Sequence, residues 1–194
     1  MTYCFLDIET TGLDPLKDEI LEVAWSFTDD YFNLASAPQN FLIEHEADAW
    51  ANAWYRINGN EYVKAMHTDS GLLAELVNPD KPKHSLDDIY HRLEDQLSDL
   101  SVQGIVYLAG RSVHFDKSFL LAEDFDALFD DSQPISFHHR MLDLSAVNLM
   151  LASSGIDTSE IQVVNLKPHR AIHDVMADIS YARNIRSLLE GETL

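Results

Sequence analysis

An α/β domain on a mixed sheet is the fold class this chain predicts, and three observations predict it. Strand-forming runs cluster at residues 3–8, 19–28 and 40–44. A helical stretch follows from about 47 to 100. Short strands at 104–110 and 135–138 then alternate with helices at 115–122, 142–152 and 170–190. Consecutive strands followed by alternating strand and helix is the pattern of one mixed-sheet layer covered by helices.

The first run, residues 3–8, is apolar, and residues 19–28 are rich in β-branched and aromatic side chains. The link from Gly12 to Asp18 has the Gly, Asp and Pro composition of a turn, so the first three strands read as an antiparallel meander. Leu72, Leu73, Leu76 and Val77 follow helical spacing, with Asp69 or Ser70 as the N-cap. Pro79 and Pro82 interrupt the chain. A second amphipathic helix then places Leu86, Ile89, Leu93 and Leu97 on one face. Residues 124–130 read as a further short helix, and Asp143 as the N-cap of the helix over 142–152. The acid-rich tracts 87–99 and 123–131 read as solvated helix faces.

At 194 residues the chain is sized for one domain, spanning 1–194. It shows neither a membrane-length apolar run nor the pattern of a signal peptide, and its one cysteine, Cys4, falls in a predicted strand. A cytoplasmic protein with a buried, reduced thiol is the expectation. Lys and Arg number 13 against 33 Asp and Glu, a net charge of −20. That argues against a broad electrostatic grip on duplex nucleic acid, though not against a short anionic substrate bridged through cations.

The chemistry begins at Asp7 and Glu9. Residues two apart in a strand point to the same side, so these carboxylates project together at the end of an apolar run. Like charges that close are costly without a cation between them, and hard divalent ions with oxygen ligands are the usual partners. Asp116 stands after a buried strand, at the start of a helix whose Phe119 and Leu120 face inward. His169 lies five residues before Asp174, at the entrance to the last helix.

Asp7-x-Glu9, Phe115-Asp116 and His169-x4-Asp174, in this order and context, resemble the DEDDh branch of 3′-to-5′ exonucleases. The blocks Asp7-Ile8-Glu9-Thr10-Thr11-Gly12-Leu13-Asp14-Pro15, His67-Thr68-Asp69-Ser70-Gly71-Leu72, Gly110-Arg111-Ser112 and Phe137-His138-His139-Arg140-Met141-Leu142-Asp143 are similar to those of the oligoribonuclease family. The resemblance implies an RNase H-like mixed five-stranded sheet flanked by helices. It also implies 3′-to-5′ hydrolysis of short single-stranded nucleic acid, oligoribonucleotides first, with release of nucleoside 5′-monophosphates. Asp7, Glu9, Asp116 and Asp174 are then the holders of two divalent ions, Mg²⁺ by default with Mn²⁺ as a substitute. His169 is the general base, imidazole being the side-chain type suited to proton transfer near neutral pH. His173-x4-Asp178 repeats the spacing, and the family's H-R-A-x-x-D string selects His169 and Asp174 over that pair.

Substrate contacts carry over from the same resemblance. Leu13 is a wedge between bases, against an ordinary core leucine. Tyr62 is a stacking platform, against a half-buried core aromatic. His67, Ser112 and Arg140 cap the terminal phosphate. Three positions depart from the family pattern: Arg111 stands where Asn precedes the Ser, Tyr62 in the place of a Trp, and His139 where a Tyr is contributed by a partner subunit. A homodimer is the assembly the resemblance implies. Two other readings compete. One is a DNA 3′-to-5′ exonuclease of the proofreading or repair type, which Thr10-Thr11 favours. The other is a silent nucleic-acid-binding module, which requires a lost ligand, whereas all five catalytic positions are occupied.

Overall fold

The computed structural model describes residues 1–101, 104–161, 163 and 168–191. Five strands form one sheet: β1 (Thr2–Thr10), β2 (Ile20–Thr28), β3 (Gln39–Leu42), β4 (Val106–Gly110) and β5 (His138–Asp143). Their order is β3-β2-β1-β4-β5. The meander β1-β2-β3 is antiparallel, and β4 and β5 run parallel to β1. Helices α1 (Ala47–Gly59), α2 (Glu61–Asp69), α3 (Leu72–Leu76) and α4 (Leu86–Ser101) lie between β3 and β4. Helices α5 (His114–Ala122), α6 (Leu144–Ser153) and α7 (Ala171–Glu190) follow β4, β5 and a loop respectively.

The period-two alternation of β1 divides the core. Cys4, Leu6 and Ile8 pack with Ile89, Leu93 and Leu97 of α4 and Phe119 and Leu120 of α5. Phe5 faces the other way, against Val175, Ile179 and Ala182 of α7. Asp7 and Glu9 continue the Phe5 row, so the sheet's own pleat aims both carboxylates toward the start of α7. On the other edge of β1, pairing with β4 covers Thr2 to Phe5 and stops. Past that point the strands part and open a crevice at their carboxyl ends, the usual ligand position in sheets with parallel strands.

Several elements differ from the sequence expectation. The fifth strand begins at His138 rather than 135, because Phe137 drops into the core and its N–H donates to the Leu128 carbonyl. The strand opens on the polar His138-His139-Arg140, which lacks an apolar signature because β5 is an edge strand, and it pairs with β4 at His138 and, past an irregularity, at Leu142 and Asp143. Residues 126–129 form a single 3₁₀ turn within the helix expected over 124–130. Gly71, at φ 81°, occupies the N-cap of α3, while the Ser70 hydroxyl accepts from the Leu72 N–H at 3.5 Å. Asp143 does cap α6, accepting from the Ser145 and Ala146 N–H groups.

Gly110 sits where β4 swings away from β1, at φ 157°. A Cβ there meets the Leu6 carbonyl oxygen at 2.9 Å, a backbone atom that cannot step aside. Gly110→Ala is therefore expected to destabilise the fold by about 1–3 kcal/mol, read as a lower midpoint in urea denaturation with unchanged slope.

Candidate active site

Glu22 organises the crevice. It is wholly buried on β2, directly opposite Glu9 in the β1–β2 register. Arg170 neutralises it: Nε donates to both Glu22 oxygens at 3.2 Å and Nη2 donates to Oε1 at 2.9 Å. The same Nη2 reaches Glu75 of α3 at 2.7 Å, and the Ala171 N–H donates to Glu22 Oε2 at 3.0 Å. Asn40 of β3 adds a bond to Oε1. Burial works against the Arg170 charge, yet Glu22 and Glu75 outweigh it and raise its pKa. This clamp pins the entrance of α7 to β2 and α3.

The pinned segment then folds onto its own acid. Asp174 Oδ2 accepts from the His169 N–H at 2.9 Å and the Arg170 N–H at 3.2 Å. His169 takes φ 63°, a conformation that costs a non-glycine residue about 1 kcal/mol or more unless its surroundings hold it. The Asp174 carboxylate and the Arg170 clamp supply that hold.

Oxygens of Asp7, Glu9 and Asp174 lie within 4.8 Å of one another. Together with Asp116, Asp178, Arg111 and His169 they line a pocket of about 280 Å³ in the crevice. Asp116, buried at the start of α5, turns Oδ1 onto the Ile8 N–H at 3.0 Å, on the edge of β1 that β4 leaves free. Asp178 accepts from the Arg111 N–H at 2.9 Å and pairs with Arg111 Nε at 2.9 Å. His173 is exposed on the outside of α7, with its N–H on the Arg170 carbonyl, so His169 alone of the two histidines lines the pocket.

So much buried negative charge shifts protonation. Burial, then Asp116, Glu9 and Asp174, push the Asp7 carboxyl well above its usual range. Burial, reinforced by Asp174 and Glu22, raises Glu9 to about 8. Burial raises Asp116 to about 8 against the pull of the Ile8 N–H, and Asp178 to about 6 against the pull of Arg111. An all-oxygen donor set held at this cost matches a hard divalent cation.

The remaining candidates that the motifs single out fall around this pocket, not all on its wall. Tyr62 is exposed and lines a neighbouring space of about 500 Å³ with Met66, Asp69 and Ser70, bounded by Pro168 and His169. Leu13 is 84% exposed, which rules out the core reading. His67 is fully buried, so it is no open phosphate contact: its Nε2 bonds the Thr10 carbonyl at 2.8 Å and its Nδ1 lies 3.8 Å from Glu9 Oε2. That Nδ1 has no hydrogen-bond partner among the described residues, and burial lowers the ring's pKa. Ser112, at φ 51°, spends its N–H on Asp143 and its hydroxyl on Ser145. Arg140 is exposed on edge strand β5, away from its own chain's pocket. Glu22 lies outside every motif that marks the site, and Arg170 stands inside the H-R-A-x-x-D string without a role of its own there. A charge inside the strand-forming run of β2 is nonetheless the same kind of signal as Asp7 and Glu9.

No family model matches the chain. Among known proteins, a probable oligoribonuclease of Dictyostelium discoideum is 31% identical over 143 residues, covering 74% of this chain and 67% of that protein. The chain belongs to the oligoribonuclease family. The oligoribonuclease of Neisseria meningitidis is 27% identical over 183 residues, covering 94% of this chain and 89% of that protein. The human mitochondrial oligoribonuclease is 28% identical over 191 residues, covering 93% and 72%. The fold is RNase H-like, shared with E. coli exonuclease I in complex with a dT13 oligonucleotide: TM-score 0.60 at 18% identity, covering 98% of this chain. The chain spans 43% of that larger protein. Among the described residues no helix is long and apolar enough to cross a membrane.

The raised carboxylates predict a pH dependence. Between the ordinary carboxylate range and pH 8 the folded chain keeps protons that the unfolded chain has released, so raising the pH through that window weakens the metal-free fold. The melting temperature of chelated protein is expected to fall by about 5 °C or more from roughly pH 5 to roughly pH 9, at 2–4 °C per kcal/mol for a chain of this size. Excess Mg²⁺ at the upper pH restores it, read by differential scanning fluorimetry.

Proposed function

We propose that this chain is a metal-dependent 3′-to-5′ exonuclease that trims short single-stranded oligoribonucleotides and releases nucleoside 5′-monophosphates. The observation that carries this is the meeting of Asp7, Glu9 and Asp174 within 4.8 Å, in one pocket with Asp116 and His169. Those four carboxylates fit two Mg²⁺ ions, with Mn²⁺ as a substitute. Bound there, the ions stabilise charge on the attacking and leaving oxygens and make water acidic at neutral pH.

The chain's own residues do the rest. His169, exposed at the pocket rim and fixed by Asp174 and the Arg170 clamp, takes the proton from the attacking water. As the new P–O bond forms, the bond from phosphorus to the 3′ oxygen of the upstream nucleoside breaks. That oxygen leaves as a hydroxyl on the shortened strand, and the terminal nucleotide departs with the phosphate on its 5′ oxygen. Tyr62 offers its exposed ring to the terminal base beside His169, and Leu13 offers an exposed aliphatic edge. His67 acts from beneath, holding Thr10 and packing against Glu9 rather than touching substrate. The charge of −20 suits brief capture of a short strand over tracking along a long one.

A homodimer completes the assembly in this reading. Arg140, and Met141 beside it, project from edge strand β5, and Leu149 and Met150 of α6 and Leu189 of α7 are exposed as well. An apolar groove between α6 and α7 adds to that surface. Arg140 serves the partner's terminal-phosphate subsite, together with a serine equivalent to Ser112. The cytoplasm is the proposed setting.

Asp7→Ala and Asp174→Asn are expected to reduce Mg²⁺-dependent hydrolysis of 5′-labelled oligonucleotides to background while retaining the fold by circular dichroism, because each removes charge from an overcrowded cluster. Full activity in either variant refutes the metal-site reading. His169→Ala is expected to lower the rate by roughly 10²–10⁴-fold with Mg²⁺ binding retained by calorimetry. Matched RNA and DNA of two, five and twenty nucleotides test the substrate: preferential loss of the RNA dinucleotide supports this assignment, and equal digestion of both 20-mers replaces it with a general DNA-competent exonuclease.

A further inference from the structure

The space beside Tyr62 has two walls that belong to different parts of the fold. One is α2 and its junction with α3, through Tyr62, Met66, Asp69 and Gly71. The other is Pro168 and His169, just ahead of α7. His169 lines the carboxylate pocket as well, so whatever fills this slot lies against the proposed general base. The His169 wall is fixed by the Arg170 clamp on Glu22. The α2–α3 wall is held in another way.

Helix α3 is 5 residues long and starts at Gly71 without a side-chain cap. A helix that short depends on its contacts for its position. Leu72, Leu73 and Leu76 pack with Leu21, Leu42 and Val63 in a hydrophobic cluster separate from the two that grip β1. Toward the site, polar ties hold each end of the α2–α3 unit. His67 bonds the Thr10 carbonyl from α2, and Arg170 Nη2 donates to Glu75 Oε2 of α3 at 2.7 Å. The other Glu75 oxygen faces Lys81 Nζ at 3.4 Å, which orients the carboxylate from behind. Burial works to raise the Glu75 pKa, but Arg170 and Lys81 outweigh it and lower it, so the tie is charge-assisted.

Arg170 does not need this second acid. Glu22 already takes its Nε and Nη2 in contacts of 2.9 to 3.2 Å, deep in the fold. The Arg170 side chain is 11% exposed and that of Glu75 30%, so the pair runs from a fixed post outward to a more open partner. The post is the entrance of α7, and the moored element is α3. Glu75 belongs to none of the motif blocks, lying three residues past Leu72. We propose that Glu75 is a positioning residue for the terminal nucleotide: by mooring α3 to Arg170 it sets the width of the slot between Tyr62 and His169. The proposal rests on the exonuclease reading above and adds to it the residue that holds the base-binding wall. Without the tie that wall drifts from His169, and a base in the slot no longer fixes the scissile bond against the catalytic groups. His169 itself stays in place, because Glu22 and Asp174 hold its segment.

Matched short RNAs ending in a normal or an abasic 3′ nucleotide isolate the slot, since only the first puts a base in it. The measured quantity is the ratio of kcat/KM for the base-bearing over the abasic strand, with Mg²⁺ and the full chain. The wild type is expected to favour the base. Glu75→Ala is expected to cut that preference about tenfold, the worth of one charge-assisted hydrogen bond, with a much smaller loss on the abasic strand. Its melting temperature is expected to stay within about 4 °C of wild type, because a partly exposed pair adds little stability. Glu75→Gln keeps an oxygen for Arg170 and is expected to retain most of the preference. Tyr62→Ala is expected to cut the same ratio, and the double variant to lose less than the product of the two single losses. Equal losses on both strands in Glu75→Ala overturn the inference and make Glu75 a support for His169 or for the fold. A double variant whose losses multiply overturns it as well. A wild type indifferent to the base overturns it while leaving the exonuclease reading intact. Absence of Mg²⁺-dependent hydrolysis of either strand overturns both.

Discussion

The buried pair between Glu22 and Arg170 is the interaction on which the site depends. Glu22 has no exposure to water, and among the described residues its carboxylate accepts hydrogen bonds from Arg170, Ala171 and Asn40. A buried pair of this kind offers little net stability over apolar packing, but loss of one partner leaves an uncompensated charge. Its value here is positional. It joins β2, α3 and the entrance of α7 at one point, and that entrance carries both His169 and Asp174. The backbone conformation of His169 is unfavourable in isolation and persists because this anchor and the Asp174 carboxylate over-determine it.

The carboxylate cluster is the opposite kind of feature. Asp7, Glu9, Asp116, Asp174 and Asp178 share a small pocket, and burial combined with mutual repulsion holds four of them above their ordinary pKa. The fold tolerates this because two hydrophobic clusters grip β1 from both faces below the crevice, through Cys4, Leu6 and Ile8 on one side and Phe5 on the other. Stability resides in the lower half of the sheet and electrostatic tension at its carboxyl end. A divalent ion relieves that tension by mass action on the folded state. In the proposed reading, folding, metal capture and catalysis draw on the same acids.

Arg111 and His67 show how the neighbourhood divides the labour around those acids. His67 supports Glu9 from inside the core, where its Nε2 holds the Thr10 carbonyl at the strand's irregular end. Arg111 works from outside, pairing with Asp178. Asp174 and Asp178 lie one helical turn apart on α7, so both face the pocket. Pairing with Arg111 is a contact that Asp178 makes from that shared face.

Much of this is legible in the sequence. Strand pleating alone places Asp7 and Glu9 on one side, and the run of motifs from Asp7 to Asp174 defines both the fold class and the five catalytic candidates. The elements that escape it are those whose local signal is weak: β5, a polar edge strand with no apolar alternation, and the short turn at 126–129. Glu22, Arg170 and Asp178 stand far from their partners in the sequence, and their pairing is decided only when β2, α3 and the end of β4 pack with α7. Exposure is equally a tertiary outcome, burying His67, leaving Leu13 and Tyr62 open, and putting Arg140 on the outer edge. Covalent order and side-chain period determine which residues a strand or helix presents. Which charges meet, and which face water, is decided by packing, because charge pairing and burial act through space rather than along the chain.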